Sequence, residues 1–200
     1  MKLIGSRTSP YVRKIRVLLA EKQIPYDFVE ENVWSPDSKV AQYNPLNKVP
    51  ALLVDDGECL YDSQVIAEYL DCLPGVNFIP AALHERVRVR RDEALGDGIA
   101  DAGIAIFLER KREAARQDPA WIARQTDKVN AGVAALSQSL AAKPTSGARR
   151  MTLGDIACGC ALFWLEFRLP ELRWRDDAGL RSWAENLESR ASFAATRPPG

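Results

Sequence analysis

The chain has 200 residues, 46% of them hydrophobic, enough for one packed domain or two small ones. Its 27 Lys and Arg offset 27 Asp and Glu, a formal net charge of zero, which gives no electrostatic reason to expect nucleic acid or an anionic membrane as partner. One histidine and four cysteines, none in a Cys-x-x-Cys pair, argue against a zinc site, and no metal is expected.

In chain order, Lys2 to Gly5 reads as a short strand, and its apolar stretch is too short for a signal peptide. No run approaches the length of a membrane helix, so a cytoplasmic location is expected. Ser6 to Ser9 is a polar turn. Ser9-Pro10 then opens a helix with Ser as N-cap and Pro at the first helical position. Val12, Ile15, Leu18 and Leu19 form its apolar stripe, and Arg13, Lys14 and Arg16 are expected to face elsewhere. Gln23-Ile24-Pro25 ends it, because the residue before a proline resists the α region. Tyr26 to Glu30 suits a strand, and Pro36 to Tyr43 a short helix.

From Asn44 the pattern changes. Ala51 to Val54 is an apolar run of strand length, Asp55-Asp56-Gly57 a turn and Cys59-Leu60 the returning stretch, which together predict a hairpin. Asp62-Ser63 opens a helix carrying Val65, Ile66, Tyr69 and Leu70. Leu73 to Pro80, with two prolines and a glycine, is the expected linker. Nothing beyond it looks like a strand. Ala82 to Arg116 is a long helical stretch punctuated by Gly96, Gly98 and Gly103, which mark either a close approach or a break. Asp118-Pro119 starts a helix whose apolar face is Trp121, Ile122, Val129, Val133, Leu136 and Leu140. Lys143 to Gly147 reads as a loop. Thr152 and Asp155 fit a reciprocal helix cap, a structural role, before a helix that is apolar almost all round and hence buried. Cys158 and Cys160 on it are expected to be buried free thiols. Asp176 to Ala195 predicts one or two closing helices with Leu180, Trp183, Leu187 and Phe193 inward.

Two features between Asn44 and Ser63 point to binding. Val49-Pro50 makes an irregular entry to a strand, a place for a cis peptide, and leaves the Val49 backbone to pair with an extended ligand. Asp62 and Ser63 stand at a helix N-terminus, where free N–H groups attract a carboxylate and Asp62 adds an acceptor for an ammonium group. A plain hairpin followed by an ordinary helix cap accounts for the same residues.

The run Asn44-Pro45-Leu46-Asn47-Lys48-Val49-Pro50-Ala51-Leu52, then Asp56-Gly57, then Leu60-Tyr61-Asp62-Ser63 followed by Ile66, Tyr69 and Leu70 resembles the glutathione-binding half of glutathione S-transferases. The resemblance implies a thioredoxin-like βαβαββα domain over residues 1–75 and an all-helical substrate domain over residues 81–197, the glutathione transferase fold. It implies that Val49, before a cis Pro50, pairs with the cysteine backbone of glutathione, and that Asp62 and Ser63 hold its γ-glutamyl end. Lys48 is a candidate for the glycyl carboxylate. Glutathione is then a co-substrate, its partner a small electrophile, and the chain a homodimer in which the sheet unit packs on the partner's helical unit, with Ile104 and Ile106 as apolar positions left over. A role in detoxification follows.

Free thiols ionise near ~8.5, and the thiolate is the nucleophile. An enzyme that uses glutathione needs a hydroxyl donor or a helix N-terminus near the sulfur. Ser9 is the candidate, because Ser9-Pro10-Tyr11-Val12-Arg13-Lys14 resembles the catalytic stretch of serine-type members. Its capping role is expected to compete with sulfur donation, and Tyr11 and Thr8 are the alternatives. The absence of Cys at position 9 argues against a disulfide-exchanging relative. Phe107 and Trp164 are candidates for the electrophile pocket. The expected activity is transfer of an alkyl or aryl group to glutathione; the alternatives are a non-catalytic glutathione-transferase-like binding or scaffold module and a glutathione-dependent peroxidase.

Overall fold

The structure, a computed structural model, describes residues 1–142 and 150–199; the loop expected at Lys143 to Gly147 lies outside them. The described chain forms two compact units, Met1–Pro80 with Ser189–Gly200, and Ala81–Glu188.

The first unit is built on a four-stranded sheet in the order β2-β1-β3-β4. Strand β1 (Lys2–Gly5) lies parallel to β2 (Asp27–Glu30) and antiparallel to β3 (Ala51–Leu53), which pairs antiparallel with β4 (Cys59–Leu60). The parallel pair needs a crossover, supplied by helix α1 (Pro10–Glu21). Helix α2 (Ser63–Cys72) follows the hairpin and packs beside α1. This is the thioredoxin-like arrangement, with one difference. Between β2 and β3 there is no helix over 36–43, only a 3-10 turn at Val40–Gln42. The Asn32, Ser35 and Ser38 side chains accept from the N–H groups of Trp34, Asp37 and Val40, and such local bonds compete with a helical ladder.

The stretch 73–80 is tied down rather than loose. Phe78 and Ile79 are buried, and their N–H groups donate to the Asp71 carboxylate. The buried Lys22 Nζ donates to the carbonyls of Asp71, Leu73 and Val76 at 3.1, 2.9 and 3.0 Å.

Arg13, Lys14 and Arg16 are buried, contrary to expectation, so α1 is enclosed almost all round. The reason lies at the far end of the sequence. Helix α7 (Ala191–Ala195) belongs to the first unit and packs on α1. The carbonyls at its C-terminal end take the guanidinium groups: Arg13 Nη2 donates to Phe193 O, and Arg16 to Thr196 O and Ala195 O. Carbonyls at a helix C-terminus lack intrahelical donors, and they favour cations. Glu21 closes the same contact with Arg190 and Ser192, and the Arg190 hydrogen bond holds its carboxyl below the usual range.

The second unit is helical: α3 (Leu83–Arg110), α4 (Pro119–Ala141), α5 (Leu153–Arg168) and α6 (Ala178–Glu188). Helix α5 is its axis, buried from Leu153 to Leu165. Thr152 and Asp155 cap it reciprocally, the Asp155 N–H donating to Thr152 Oγ1 and the Thr152 N–H to Asp155 Oδ2. The glycines of α3 do not break it. A Cβ on Gly96 would stand 2.6 Å from the backbone of Ala157 and Cys158, and one on Gly103 2.7 Å from Leu165. Two of the three are close approaches to α5; Gly98 faces open space. On α4 the expected face is only partly inward: Val129 and Leu136 are buried with Gln125, while Trp121 is exposed.

Candidate functional site

The sheet register gathers three separated segments. Ile4 faces Ala51 and Lys2 faces Leu53, so the chain leaves β1 toward Ser6 at the end where it enters β3 from Pro50. Leu52 faces Leu60, so the chain leaves β4 toward Tyr61, Asp62 and Ser63 at that same end. The turn carrying Ser9, the Lys48-Val49-Pro50 entry and the start of α2 thus share one edge of the sheet.

Ser9 is the N-cap of α1, its Oγ accepting from the Val12 N–H at 3.3 Å with Pro10 next. The competition expected between capping and donation does not arise. The cap uses an oxygen lone pair, whereas donation uses the hydroxyl proton. Thr8 Oγ1 is hydrogen-bonded to Ser6 Oγ at 3.0 Å, and Tyr11 is half-buried with partners of its own. The turn is anchored from β2: the Glu30 carboxylate takes both the Arg7 N–H and Arg7 Nε, and the Arg7 guanidinium lies over the Phe28 ring. An acidic residue at the end of β2 was the available signal for this anchor.

The Val49–Pro50 peptide is cis, as expected, and Pro50 is buried. Among the described residues nothing pairs with the N–H or C=O of Val49. The entry is shaped by Asn44, buried, whose side chain donates to Lys48 O and accepts from the Leu46 N–H, both at 2.9 Å. Asn44 opens the motif in the sequence, where nothing local marks this role. The Lys48 side chain is exposed.

Asp62 is the N-cap of α2 and accepts from the Gln64 N–H at 3.0 Å; the peptide before it, Tyr61–Asp62, is also cis, which no sequence signal announced. Asp62 is exposed and Ser63 buried. The Ser63 and Val65 N–H groups in this first turn have no acceptor among the described residues. The edge therefore offers a hydroxyl at one helix N-terminus, an unpaired backbone pair beside a proline, and a carboxylate with open N–H groups at a second helix N-terminus. Such a row suits an extended peptide-like molecule carrying an amino-acid end.

The thiols stand apart from this chemistry. Cys158 and Cys160 are buried, and burial pushes the Cys59 thiol up. In the helical unit, Phe107 and Trp164 do meet, edge to face at 5.9 Å between centroids. Ile106 is fully buried, so it is not left over for a partner, and Ile104 is half-buried; the large apolar residues exposed on α3 are Leu83 and Val87.

The family model for the glutathione S-transferase N-terminal domain matches residues 3–77, and that for the C-terminal domain matches residues 119–186. The chain is 44% identical over 204 residues to the uncharacterized GST-like protein YibF of Escherichia coli, covering 100% of this chain and 99% of that protein. A glutathione S-transferase of Methylobacillus flagellatus, crystallised with GSH bound, matches with a TM-score of 0.93 at 42% identity over 99% of each chain. One of Methylobacterium radiotolerans, in complex with glutathione sulfonate, matches with a TM-score of 0.93 at 38% identity over 100% of this chain and 95% of that one.

Proposed function

This chain belongs to the glutathione S-transferase family, and from that premise we propose that it binds glutathione along the shared edge of its sheet and turns the thiol on an electrophile. The observation that carries the reading is the convergence of Ser9, Val49 and the start of α2 at one edge, each with hydrogen-bonding capacity left open. Relatives with 42% and 38% identity were crystallised with GSH and glutathione sulfonate.

The roles follow from the groups. Val49 pairs its backbone with the cysteinyl part of the tripeptide. The Ser63 N–H receives the γ-glutamyl carboxylate and Asp62 its ammonium group. Lys48 meets the glycyl carboxylate. Ser9 donates its hydroxyl proton to the sulfur while its oxygen keeps the cap of α1, whose N-terminus adds positive potential. Lowering the thiol by two pKa units stabilises the anion by about 2.7 kcal/mol and leaves most of it ionised at neutral pH. Residues 1–75 form the glutathione domain and the helical residues from 81 supply those that receive the electrophile. The setting is the cytoplasm and the process detoxification.

Asp62→Ala is expected to raise the KM for glutathione roughly ten- to a hundredfold, the worth of a charge-assisted hydrogen bond, with kcat changed far less. Asp62→Ser retains a capping oxygen without the charge. If its KM for glutathione matches wild type, Asp62 is a cap alone. Steady-state kinetics with an aryl halide and varied glutathione decides this.

We also propose a homodimer, for which Leu83 and Val87, a turn apart and exposed on α3, supply an apolar strip. Light scattering at micromolar concentration should give twice the 22.2 kDa monomer mass. The monomer mass at that concentration overturns it.

A further inference from the structure

Arg16 stands in the middle of α1, only 6% exposed. Its guanidinium donates to Thr196 O and Ala195 O at 3.3 and 3.4 Å and lies 5.3 Å from the Phe28 ring centroid, while Nε is buried with no hydrogen-bond partner. No carboxylate pairs with it among the described residues. As a tether for α7 it is inefficient. Lys22, in the same unit, places its donors on three carbonyls at 3.1, 2.9 and 3.0 Å. A buried cation is ordinarily matched by an anion. Carbonyl dipoles answer only part of this one's charge, and the remainder acts on whatever lies within reach.

Within reach is the turn that carries Ser9, in the same unit. Arg7, two residues before Ser9, sets its guanidinium 5.1 Å from the centroid of the same Phe28 ring. Along the axis of α1, Arg16 is seven residues from the Ser9 N-cap, about 10 Å at 1.5 Å per residue. The carboxylates on the elements packed around Arg16 are engaged or exposed. Glu21 is held by Arg190 and Ser192, Glu30 by Arg7, and Asp71 on α2 by the N–H groups of Phe78 and Ile79. Glu68 on α2 has partners of its own, and Asp27 on β2 is exposed. Helix α7 carries no charged side chain, and Arg13 and Lys14 on α1 have the same sign as Arg16. At the site itself, Asp62 is matched by the ammonium group of the tripeptide in the reading above.

We infer that the charge of Arg16, sealed inside the first unit, stabilises the thiolate of glutathione bound at Ser9. Arg16 is then a positioning residue for thiol activation, acting through its field and not by contact. The inference rests on the transferase reading above. The step it favours is loss of the thiol proton to solvent, and no other bond changes. One charge about 10 to 12 Å away, at an effective dielectric constant near 20 and partly answered by two carbonyls, lowers a thiol by roughly half to one pH unit.

The experiment follows the thiolate absorbance of bound glutathione against pH in wild type, Arg16→Gln, Arg16→Met and Arg16→Lys. Gln removes the charge and keeps donors for the carbonyls, Met removes it and keeps the aliphatic stem, and Lys keeps the charge without the fork. The Gln and Met variants are expected to titrate roughly half to one pH unit above wild type, and the Lys variant with it. With 1-chloro-2,4-dinitrobenzene, the rate at neutral pH should fall about three- to tenfold in the two neutral variants and recover as pH rises, with the KM for glutathione unmoved. Either neutral variant decides the matter if the other does not fold. A midpoint that stays at the wild-type value without the charge overturns the inference and leaves Arg16 a tether for α7. One that moves equally in the Lys variant also overturns it, because geometry and not charge is then responsible. In both cases a wild-type thiolate near pH 7 keeps the transferase reading standing. Its absence overturns both.

Discussion

Replacing Ser9 by alanine is expected to cut the conjugation rate at neutral pH roughly a hundredfold, about tenfold for each of two pKa units lost by the bound thiol. The KM for glutathione should change little, because the tripeptide is held at Val49 and α2. Alanine also removes the α1 cap, at a cost of about 1 kcal/mol in stability. Ser9→Gly separates the two roles, since glycine at an N-cap loses only a few tenths of a kcal/mol. Equal rate losses in the two variants, with only the alanine variant less stable, identify the hydroxyl proton as the active group. Raising the pH should restore rate to both variants as the bound thiol ionises unaided. If Ser9→Gly keeps the wild-type rate, Ser9 is a cap and another donor serves the sulfur.

The second large effect lies in the helical unit. Gly96→Ala should destabilise the protein by roughly 3 kcal/mol, because its Cβ would meet the α5 backbone at 2.6 Å, where no side chain can turn aside. Gly98→Ala, two residues on, faces open space on the same helix. It should gain up to about 1 kcal/mol of helix propensity. At this chain length each kcal/mol moves Tm by roughly 2 to 4 °C, so thermal unfolding should show opposite shifts for the two variants. Equal shifts would mean that α3 and α5 do not approach at Gly96.

These glycines also show where sequence reading stops. Their presence in a long helical pattern marked an approach or a break, and nothing in the local sequence chose between them, because the choice depends on a partner about sixty residues away. The same holds for α1. Periodicity found Val12, Ile15, Leu18 and Leu19, but charge alone put Arg13 and Arg16 outside. They are buried because the carbonyls of α7, some 180 residues later, receive them. Local chemistry was legible where it is self-contained: the Ser9-Pro10 cap, the Asp-Asp-Gly hairpin, the Thr152 and Asp155 box and the Val49–Pro50 junction all form as their residues dictate. Where side chains bond locally to the backbone, as at Asn32, Ser35 and Ser38, the expected helix gave way to turns. Most of the edge that gathers Ser9, Val49 and Asp62 was visible as three motifs. What the sequence lacked was the strand register that sets them side by side, and the Arg7–Glu30 and Asn44–Lys48 bonds that hold two of them there.

The most direct test of thiol activation is the thiolate absorbance of glutathione bound to the wild-type protein, followed against pH beside the Ser9→Ala variant. The wild-type midpoint is expected about two units below the free-thiol value of ~8.5, moved back up by the substitution. Bound glutathione showing no thiolate near pH 7 in wild type would contradict it and leave a protein that holds the tripeptide without activating it.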